Sequence, residues 1–322
     1  MRQLLLTKYK PITLDAFADN KDIEHVIKSF ISIDCISLLL VGNTGCGKSS
    51  LIKAITREYY GNYNTHTAEN IMSINTIKEQ GISYYRNDVK IFCQTASTIP
   101  GKKKCIILDD IDLINEQSQQ VFRNCLDKYG SRIIFIASCC NEQKVIHSIQ
   151  SRMDIIKIQS PTSEKLTLLA TKIIENENIN LHENVLSFIV KVCNGSIRTL
   201  INYLEKFRLI GKYITPDIAS SACTNIAFYD LSKFTDFCRN GLREEAFSII
   251  DFFVMKGYSV TDVLDSYFIY IKCDNTLSEN EKYNIVPLIC KYITVFNCVH
   301  EDEIELKFFT NSLIELLNTN SK

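Results

Sequence analysis

The chain has 322 residues, of which 46% are hydrophobic and 23% charged, and its formal net charge is -1. Together with a mean hydropathy of -0.01, these values are typical of globular proteins and exclude a fibrous repeat or a disordered chain. The length predicts about two or three domains, and because no apolar run approaches about 20 residues we expect no membrane helix.

Charge is unevenly distributed along the chain. Residues 1–160 contain 20 lysines and arginines against 16 acidic residues, whereas residues 161–322 contain 16 against 21. A bound polyanion is therefore expected on the first part of the chain. The N-terminal residues show no small-residue cleavage site, so we expect an intracellular protein that is not secreted. The thirteen scattered cysteines predict reduced, buried thiols.

Continuous apolar runs in the first half predict buried strands. Amphipathic stretches alternate with these runs, which is the pattern of an open α/β sheet whose parallel strands are covered on both faces. Ligands bind beyond the carboxyl ends of such strands. After Pro161 the pattern changes to helical spacing, which predicts an all-helical second part. The predicted strands are Ser37–Gly42, Cys105–Asp110, Arg132–Ser138 and Asp154–Gln159.

A glycine-rich loop follows the first predicted strand. The run "GNTGCGKSS" matches the pattern G-x-x-x-x-G-K-[ST] and precedes a predicted helix, which is the context that this phosphate-binding motif requires. Its backbone amides would surround phosphates, Lys48 would neutralise the β and γ charges, and the Ser49 hydroxyl would reach Mg²⁺. The candidate nucleotide-binding residues of the loop are Gly42, Asn43, Thr44, Gly45, Cys46, Gly47, Lys48, Ser49 and Ser50.

Two acidic residues end the second predicted strand, in the segment "IILDDID". A phosphate-binding loop needs a carboxylate on a neighbouring strand to hold the metal and a base to orient the attacking water. We assign Asp109 to the first role, beside Ser49 as a metal ligand, and Asp110 to the second. The two motifs together predict a Mg²⁺-dependent NTPase.

Several further segments, taken in order, resemble the small subunits of replication factor C, the AAA+ clamp loader. The opening "KYKPITLDAF" is similar to the family's E-K-Y-R-P-x-T-L-D, and "IILDDID" stands where the family has L-D-E-A-D. Farther along, "QQVFRNCLDKY", "SCCNEQKVIHSIQSRMDIIKI" and "NGSIRTLINYL" are similar to later family motifs. The likeness extends along the whole chain, and Asp110 replaces the family's glutamate.

The resemblance implies roles for residues that match the family motifs. Tyr9 and Pro11 would line the adenine pocket, Asn141 would be the first sensor of the γ-phosphate, and Arg198 would be the second sensor. Arg152 would be the arginine finger that enters the site of an adjacent subunit. Plainer interpretations are a turn residue for Asn141, a helix-surface charge for Arg198 and a strand-start charge for Arg152.

The segment "SINTIKEQGISYYRNDVKIF" is similar to the family segment whose helix follows the DNA backbone. Ser83, Arg86 and Lys90 are spaced by three and four residues, so they share one helical face that suits phosphates. We interpret them as DNA-binding residues, and a solvated helix face is the alternative.

The resemblance also implies an architecture and partners. Residues 1–160 would form the AAA+ nucleotide-binding core, 161–222 a helical lid and 223–322 a helical collar for oligomerisation. The chain would be a clamp loader subunit, in a hetero-pentamer with a large subunit, acting on a sliding clamp and primer-template DNA in the nucleus or at a cytoplasmic replication site. The isolated chain would be a weak ATPase. Alternatives are a scaffold subunit that binds nucleotide without useful hydrolysis, and an AAA+ ATPase with another target.

Overall fold

The protein divides into two compact units in the computed structural model. The first comprises Met1–Leu166 with Gly195–Asn202, and the second comprises Thr167–Asn194 with Tyr203–Lys322. Within these limits the structure describes residues 3–15, 17, 21–61, 65–75, 82–223, 226, 228–274, 276–298 and 302–319.

The first unit is built on a parallel sheet of five strands in the order β2-β3-β4-β1-β5. Strand β4 lies between β3 and β1, and all three run in the same direction, so their carboxyl ends lie side by side. The strands are β1 (Ser37–Val41), β2 (Ile71–Asn75), β3 (Lys104–Asp109), β4 (Ile133–Cys139) and β5 (Asp154–Lys157).

Helices cover both faces of this sheet. Successive side chains of a strand point to opposite faces, so Leu39 and Phe135 join one buried cluster while Leu38 and Ile136 join another. This two-sided burial explains why β1, β3 and β4 are continuous apolar runs. The prediction of burial is wrong for β5, which lies at one edge of the sheet and is largely exposed. The helices of the unit are α1 (Leu5–Lys8), α2 (Lys21–Ile33), α3 (Lys48–Tyr60), α4 (Thr65–Glu69), α5 (Ile82–Gln94), α6 (Glu116–Tyr129) and α7 (His147–Gln150).

All four strands that the sequence predicted are present, within one or two residues at their ends. Strand β2 was not predicted from the sequence; it lies at one edge of the sheet and pairs only with β3. Its sequence, IMSIN, is short and contains polar residues, so it lacks the unbroken apolar run that marks the central strands.

The second unit is helical, as the change of pattern after Pro161 predicted. Its buried core includes Phe234, Phe253, Tyr267 and Phe309, and the ring of Tyr267 makes edge-to-face contacts with those of Phe234 and Phe309 at 5.5 and 5.9 Å. The remaining helices are α8 (Ser163–Glu177), α9 (Glu183–Val192), α10 (Ile197–Ile210), α11 (Pro216–Cys223), α12 (Phe228–Arg239), α13 (Arg243–Met255), α14 (Val260–Cys273), α15 (Glu279–Cys298) and α16 (Glu303–Thr319).

The expected lid and collar helices share contacts within the second unit. The ring of Phe188 in α9 packs edge to face against Phe228 in α12 at 5.5 Å, and Phe228 packs against Tyr270 in α14 at 5.6 Å. The division at residues 160 and 222 into core, lid and collar stays a prediction. Among the described helices, none is long and apolar enough to span a membrane.

Candidate active site

The glycine-rich loop connects β1 to α3 in the way the sequence predicted. A methyl group on Gly42 would lie 2.6 Å from the carbonyl oxygen of Ile158, so only glycine fits where β1 passes the end of β5. Gly47 has a φ of 106° at the position just before α3, a backbone conformation that side-chain-bearing residues rarely adopt. These two glycines therefore set the path of the loop.

The loop leaves several backbone amides at the start of α3 without a hydrogen-bond acceptor in the described part of the chain. The amides of Gly47, Lys48 and Ser49 donate no hydrogen bond to any described residue, whereas those of Ser50 and Leu51 bond to the carbonyl oxygen of Gly47. Unpaired amides at a helix N-terminus carry partial positive charge and bind anions. The loop can therefore bind phosphate groups.

Lys48 lies inside this loop and is only 6% exposed. Its ammonium group donates to the carbonyl oxygens of Gly42 and Asn43 at 2.7 and 3.0 Å, and to the sulfur of Cys140 at 3.2 Å. An ammonium group has three donors, and sulfur is a weak acceptor. The contact with Cys140 is therefore the one that a phosphate oxygen can replace at least cost, while the two carbonyls keep Lys48 in place.

Ser138 connects the two acidic residues that follow β3. It is fully buried, and its hydroxyl donates to Oδ1 of Asp109 at 2.5 Å while accepting a hydrogen bond from the amide of Asp110 at 3.0 Å. One side chain on β4 thus fixes both the carboxylate of Asp109 and the backbone of Asp110.

Asp110 has a left-handed backbone, with φ 58° and ψ 53°. Aspartate and asparagine tolerate this conformation better than most residues with a side chain. Burial raises the pKa of the Asp110 carboxyl, the charge of Asp109 raises it further, and the positive charge of Lys48 opposes them. A carboxylate with a raised pKa is a stronger base than an exposed aspartate, which suits proton abstraction from water.

Asn141 follows β4 at the same edge of the sheet. Its side-chain oxygen accepts a hydrogen bond from the amide of Gln143 at 2.9 Å, so the residue does form the turn that the plainer interpretation gave it. Its side-chain NH₂ group has no acceptor among the described residues and can donate to a phosphate or a water. Turn formation and phosphate sensing are therefore compatible in this residue.

Asp112 fixes the position of this turn. Its Oδ2 accepts from the amides of Cys140 and Asn141 at 3.1 and 3.0 Å, while its Oδ1 is buried without a hydrogen-bond partner among the described residues. The segment after β3 is thereby tied to the segment after β4.

Arg198 lies in the first turn of α10, beside the glycine-rich loop. The amide of Ile197 donates to the carbonyl oxygen of Gly45 at 3.1 Å, and a methyl group on Gly45 would lie 3.5 Å from Cβ of Arg198. The positive charge of Arg198 partly opposes the rise in the pKa of Asp110 that burial causes. The structure therefore brings Arg198 to the loop and the acids, although Lys48 lies 150 positions and Asp110 lies 88 positions before it in the sequence.

The N-terminal segment also reaches this site. Burial and the positive charge of Lys53 lower the pKa of Lys10, while the charge of Asp109 acts in the opposite direction. A methyl group on Gly47 would lie 3.6 Å from the ring of Phe17. Tyr9 and Pro11, on either side of Lys10, are half-buried in this segment, which is consistent with the adenine pocket that the resemblance implies.

The oxygen groups at the site suit Mg²⁺. Asp109 has one carboxylate oxygen held by Ser138, which orients the second, and Ser49 carries a hydroxyl in the first turn of α3. Mg²⁺ is typically bound by one or two protein oxygens together with phosphate oxygens and waters. Ser49 and Asp109 together fit this pattern.

Arg152 lies at the amino ends of the strands, whereas the groups described above lie at the carboxyl ends. Its carbonyl oxygen accepts a hydrogen bond from the hydroxyl of Ser37, the first residue of β1, at 3.3 Å, whereas the glycine-rich loop follows Val41, the last. A strand rises about 3.3 Å per residue, so about 13 Å separate the two ends of β1. The structure therefore does not bring Arg152 to the loop of its own chain.

The candidate DNA-binding residues lie on α5. Ser83, Arg86 and Lys90 are helical and share one face through their spacing, and Lys90 is exposed. Residues 76–81, which precede the helix, and the side chains of Ser83 and Arg86 lie outside the described part of the structure. Contact with DNA stays a prediction.

Comparisons with known proteins match the segment that forms the sheet and, beyond it, most of the chain. Residues 38–160 match the family described as "ATPase family associated with various cellular activities (AAA)". The chain is 28% identical over 294 residues to the replication factor C small subunit of Methanococcus maripaludis, covering 90% of this chain and 91% of the relative. Over about nine tenths of its length the chain is thus similar to replication factor C small subunits. The corresponding subunit of Thermoplasma acidophilum is 27% identical, with 90% of each chain covered, and a mimivirus protein of that name is 26% identical, with 88% of each covered.

Solved structures support the fold alone. A variant of RuvB from Thermotoga maritima superimposes with a TM-score of 0.52 at 14% identity, covering 84% of this chain and 91% of that one. The structure titled as the Holliday junction branch migration motor from the same organism gives 0.51, covering 73% and 79%. The AAA+ P-loop fold and the resemblance to replication factor C small subunits are thus confirmed.

The structure adds residues to the site that the sequence did not single out. Ser138, Cys140 and Asp112 are ordinary residue types within quoted motifs, and nothing in their spacing shows that they contact Asp109, Lys48 and Asn141. Lys10 stands directly between Tyr9 and Pro11, so the resemblance pointed to its segment but not to its charge.

We expect Asp110→Asn to lower the rate of ATP hydrolysis by about 100-fold or more while leaving ATP affinity nearly unchanged. Asparagine also tolerates the left-handed backbone, so the substitution removes the carboxylate without disturbing the turn. Single-turnover hydrolysis and binding of a fluorescent ATP analogue separate the two effects. A comparable loss of affinity would show that Asp110 acts in binding instead.

The raised pKa of Asp110 gives the same residue a pH signature. The hydrolysis rate should decline on acidification at a pH above about 3.9, the pKa of an ordinary aspartate, because the carboxyl becomes protonated earlier. Asp110→Asn should abolish this decline, which a pH profile of the residual rate would test.

Two substitutions of Asp112 distinguish its role as a hydrogen-bond acceptor for the backbone from the effect of its charge. Asp112→Ala leaves the amides of Cys140 and Asn141 without their acceptor, so we expect the free energy of unfolding to fall by about 1–3 kcal/mol and hydrolysis to slow. Because one oxygen accepts both hydrogen bonds, Asp112→Asn should retain most of the stability. Denaturant unfolding measures both variants, and equal losses would contradict the anchoring role.

Proposed function

We propose that the chain is an ATP-dependent clamp loader subunit that helps to open a sliding clamp and load it onto primed DNA during replication. The observation that carries the proposal is that the candidate catalytic groups are divided between the two ends of the strands of one sheet. Lys48, Asp109 and Asn141 lie at the carboxyl ends of the strands, whereas Arg152 lies at their amino ends, two residues before β5. Such a chain has a complete site only where it meets another subunit.

The residues at the carboxyl edge have separate tasks in this mechanism. The amides after Gly47 and the ammonium group of Lys48 bind the phosphates, and Asp110 accepts a proton from the attacking water. Asn141 donates its side-chain NH₂ to the γ-phosphate or that water, and Arg198 reaches the phosphates from α10. Mg²⁺ held through Ser49 and Asp109 would supply charge neutralisation at the phosphates.

Arg152 completes the site of a neighbouring subunit in this proposal. A guanidinium that enters a phosphoryl-transfer site stabilises the charge that spreads over the γ-phosphate, and such residues contribute roughly 10³- to 10⁵-fold in rate. The isolated chain would therefore be a weak ATPase. ATP binding would favour assembly, and hydrolysis would weaken it.

The remaining partners follow from the same proposal. The chain would assemble with other clamp loader subunits, including a large subunit, in a hetero-pentamer. Its helix α5 would contact primer-template DNA through Ser83, Arg86 and Lys90. A replication protein acts inside the cell, in the nucleus or at a cytoplasmic replication site.

We expect ATP hydrolysis by the assembled complex to rise when sliding clamp and primer-template DNA are both added. Steady-state hydrolysis with neither, either and both additions measures this, and Lys48→Ala provides the matched inactive control. A silent site that still binds ATP would support the scaffold alternative. Indifference to clamp and DNA would support an ATPase with another target.

Mixing two defective subunits tests the placement of Arg152. Arg152→Ala subunits retain Lys48, and Lys48→Ala subunits retain Arg152, so neither preparation alone should hydrolyse ATP efficiently. Their mixture should regain hydrolysis where an intact loop meets an intact arginine. No recovery would mean that Arg152 does not act between subunits, because every chain in the mixture has one defect.

A further inference from the structure

The guanidinium group of Arg152 is held on two of its three nitrogens. Nε donates to the carboxylate oxygen Oδ1 of Asp127, and Nη1 donates to the carbonyl oxygen of Ser148 at 2.7 Å and to the hydroxyl of Ser151 at 3.3 Å. The third nitrogen, Nη2, has no acceptor among the described residues. Its two N–H donors are therefore available to a group outside the chain.

The backbone of Arg152 is equally well fixed. Its amide donates to the carbonyl oxygen of Ile149 at 3.0 Å, and its carbonyl oxygen accepts from the hydroxyl of Ser37. Strand β5 begins two residues later. The base of the side chain is thus attached to the sheet, and the contact with Asp127 determines where its charged end lies.

Asp127 belongs to the last turn of α6, whose neighbouring residues Phe122 and Leu126 are buried in the core against the sheet. Its two oxygens are divided between two cations: Oδ1 faces Arg152, and Oδ2 lies 3.8 Å from Nε of Arg123, one turn earlier. The carboxylate of Asp127 is therefore carried by a helix that is packed firmly against the sheet.

An ion pair at this exposure has little value for stability. The side chains of Arg152 and Asp127 are 36% and 41% exposed, and exposed pairs contribute little to folding. Their effect on conformation is larger, because an unpaired arginine side chain samples many rotamers. Fixing two nitrogens removes most of this freedom before any phosphate is bound.

We propose that Asp127 is a positioning residue that orients Arg152 so that Nη2 projects toward the γ-phosphate bound by an adjacent subunit. This proposal rests on the proposed function, since it assumes that Arg152 acts between subunits. Asp127 itself touches neither nucleotide nor the reacting atoms, and it acts through Arg152 alone.

The test measures the contribution of Arg152 at one kind of subunit interface only. Receiver subunits carry Arg152→Ala with an intact Lys48, and donor subunits carry Lys48→Ala with an intact Arg152, so only a receiver site beside a donor arginine can hydrolyse ATP. Donors are compared with and without Asp127→Asn, Asp127→Ala or Asp127→Glu in the assembled complex. The matched control is Glu116→Gln, which removes one negative charge from the exposed first turn of the same helix.

We expect Asp127→Ala donors to lower the restored kcat by roughly 10- to 100-fold, the loss typical of a displaced catalytic group. Asp127→Asn donors should show a smaller loss, because the amide oxygen can still accept from Nε but carries no charge. The KM for ATP should not change, because the receiver site is intact. Asp127→Glu should recover much of the rate, and Glu116→Gln should have no effect. Thermal unfolding should be the same for all donors, which separates positioning from folding.

Three results would overturn the proposal, and they differ from one another. An unchanged kcat with Asp127→Asn and Asp127→Ala would show that Arg152 needs no partner, while leaving the proposed function intact. A higher kcat would show that Asp127 withholds the arginine instead of presenting it. Failure of the unmodified donor to restore any hydrolysis would remove both the intersubunit role of Arg152 and the positioning role of Asp127.

Discussion

The parallel register of β1, β3 and β4 is the constraint on which the candidate site depends. Val41 lies opposite Cys139, and Leu108 lies opposite Ala137, so the three strands end at the same level. The residues that follow them are consequently neighbours, although about 100 residues of chain separate the first from the last. A shift of register by one residue would turn each side chain to the other face of the sheet.

Side-chain hydrogen bonds then fix the positions of the residues that follow these strands more firmly than strand pairing alone can. Ser138 connects β4 to both acids after β3, and Asp112 connects the segment after β3 to the turn at Asn141. Gln119 adds a third connection, because its amide group donates to the carbonyl oxygen of Lys144 and accepts from the amide of Ile146. The groups of the candidate site are thus held by several independent contacts, as catalysis of a reaction at one phosphate would require.

The amino ends of the strands hold Arg152 away from the candidate site of its own chain. Arg152 is joined to the amino end of β1 through Ser37 and to α6 through Asp127. The sheet that assembles the nucleotide site therefore also separates Arg152 from it by the length of a strand. If Arg152 acts between subunits as proposed, this separation would make hydrolysis dependent on assembly.

The sequence by itself determined the parts of this protein whose signals are local. Continuous apolar runs gave the central strands, the spacing of Gly42, Gly47 and Lys48 gave the phosphate-binding loop, and the likeness of several ordered motifs indicated the family. Only the tertiary structure decided which polar groups meet. The edge strand β2, the contact of Ser138 with Asp109, and the pairing of Arg152 with Asp127 depend on strand order and helix packing. Residues far apart in sequence carry no local pattern that marks them as neighbours, because long-range pairing is set by the whole core.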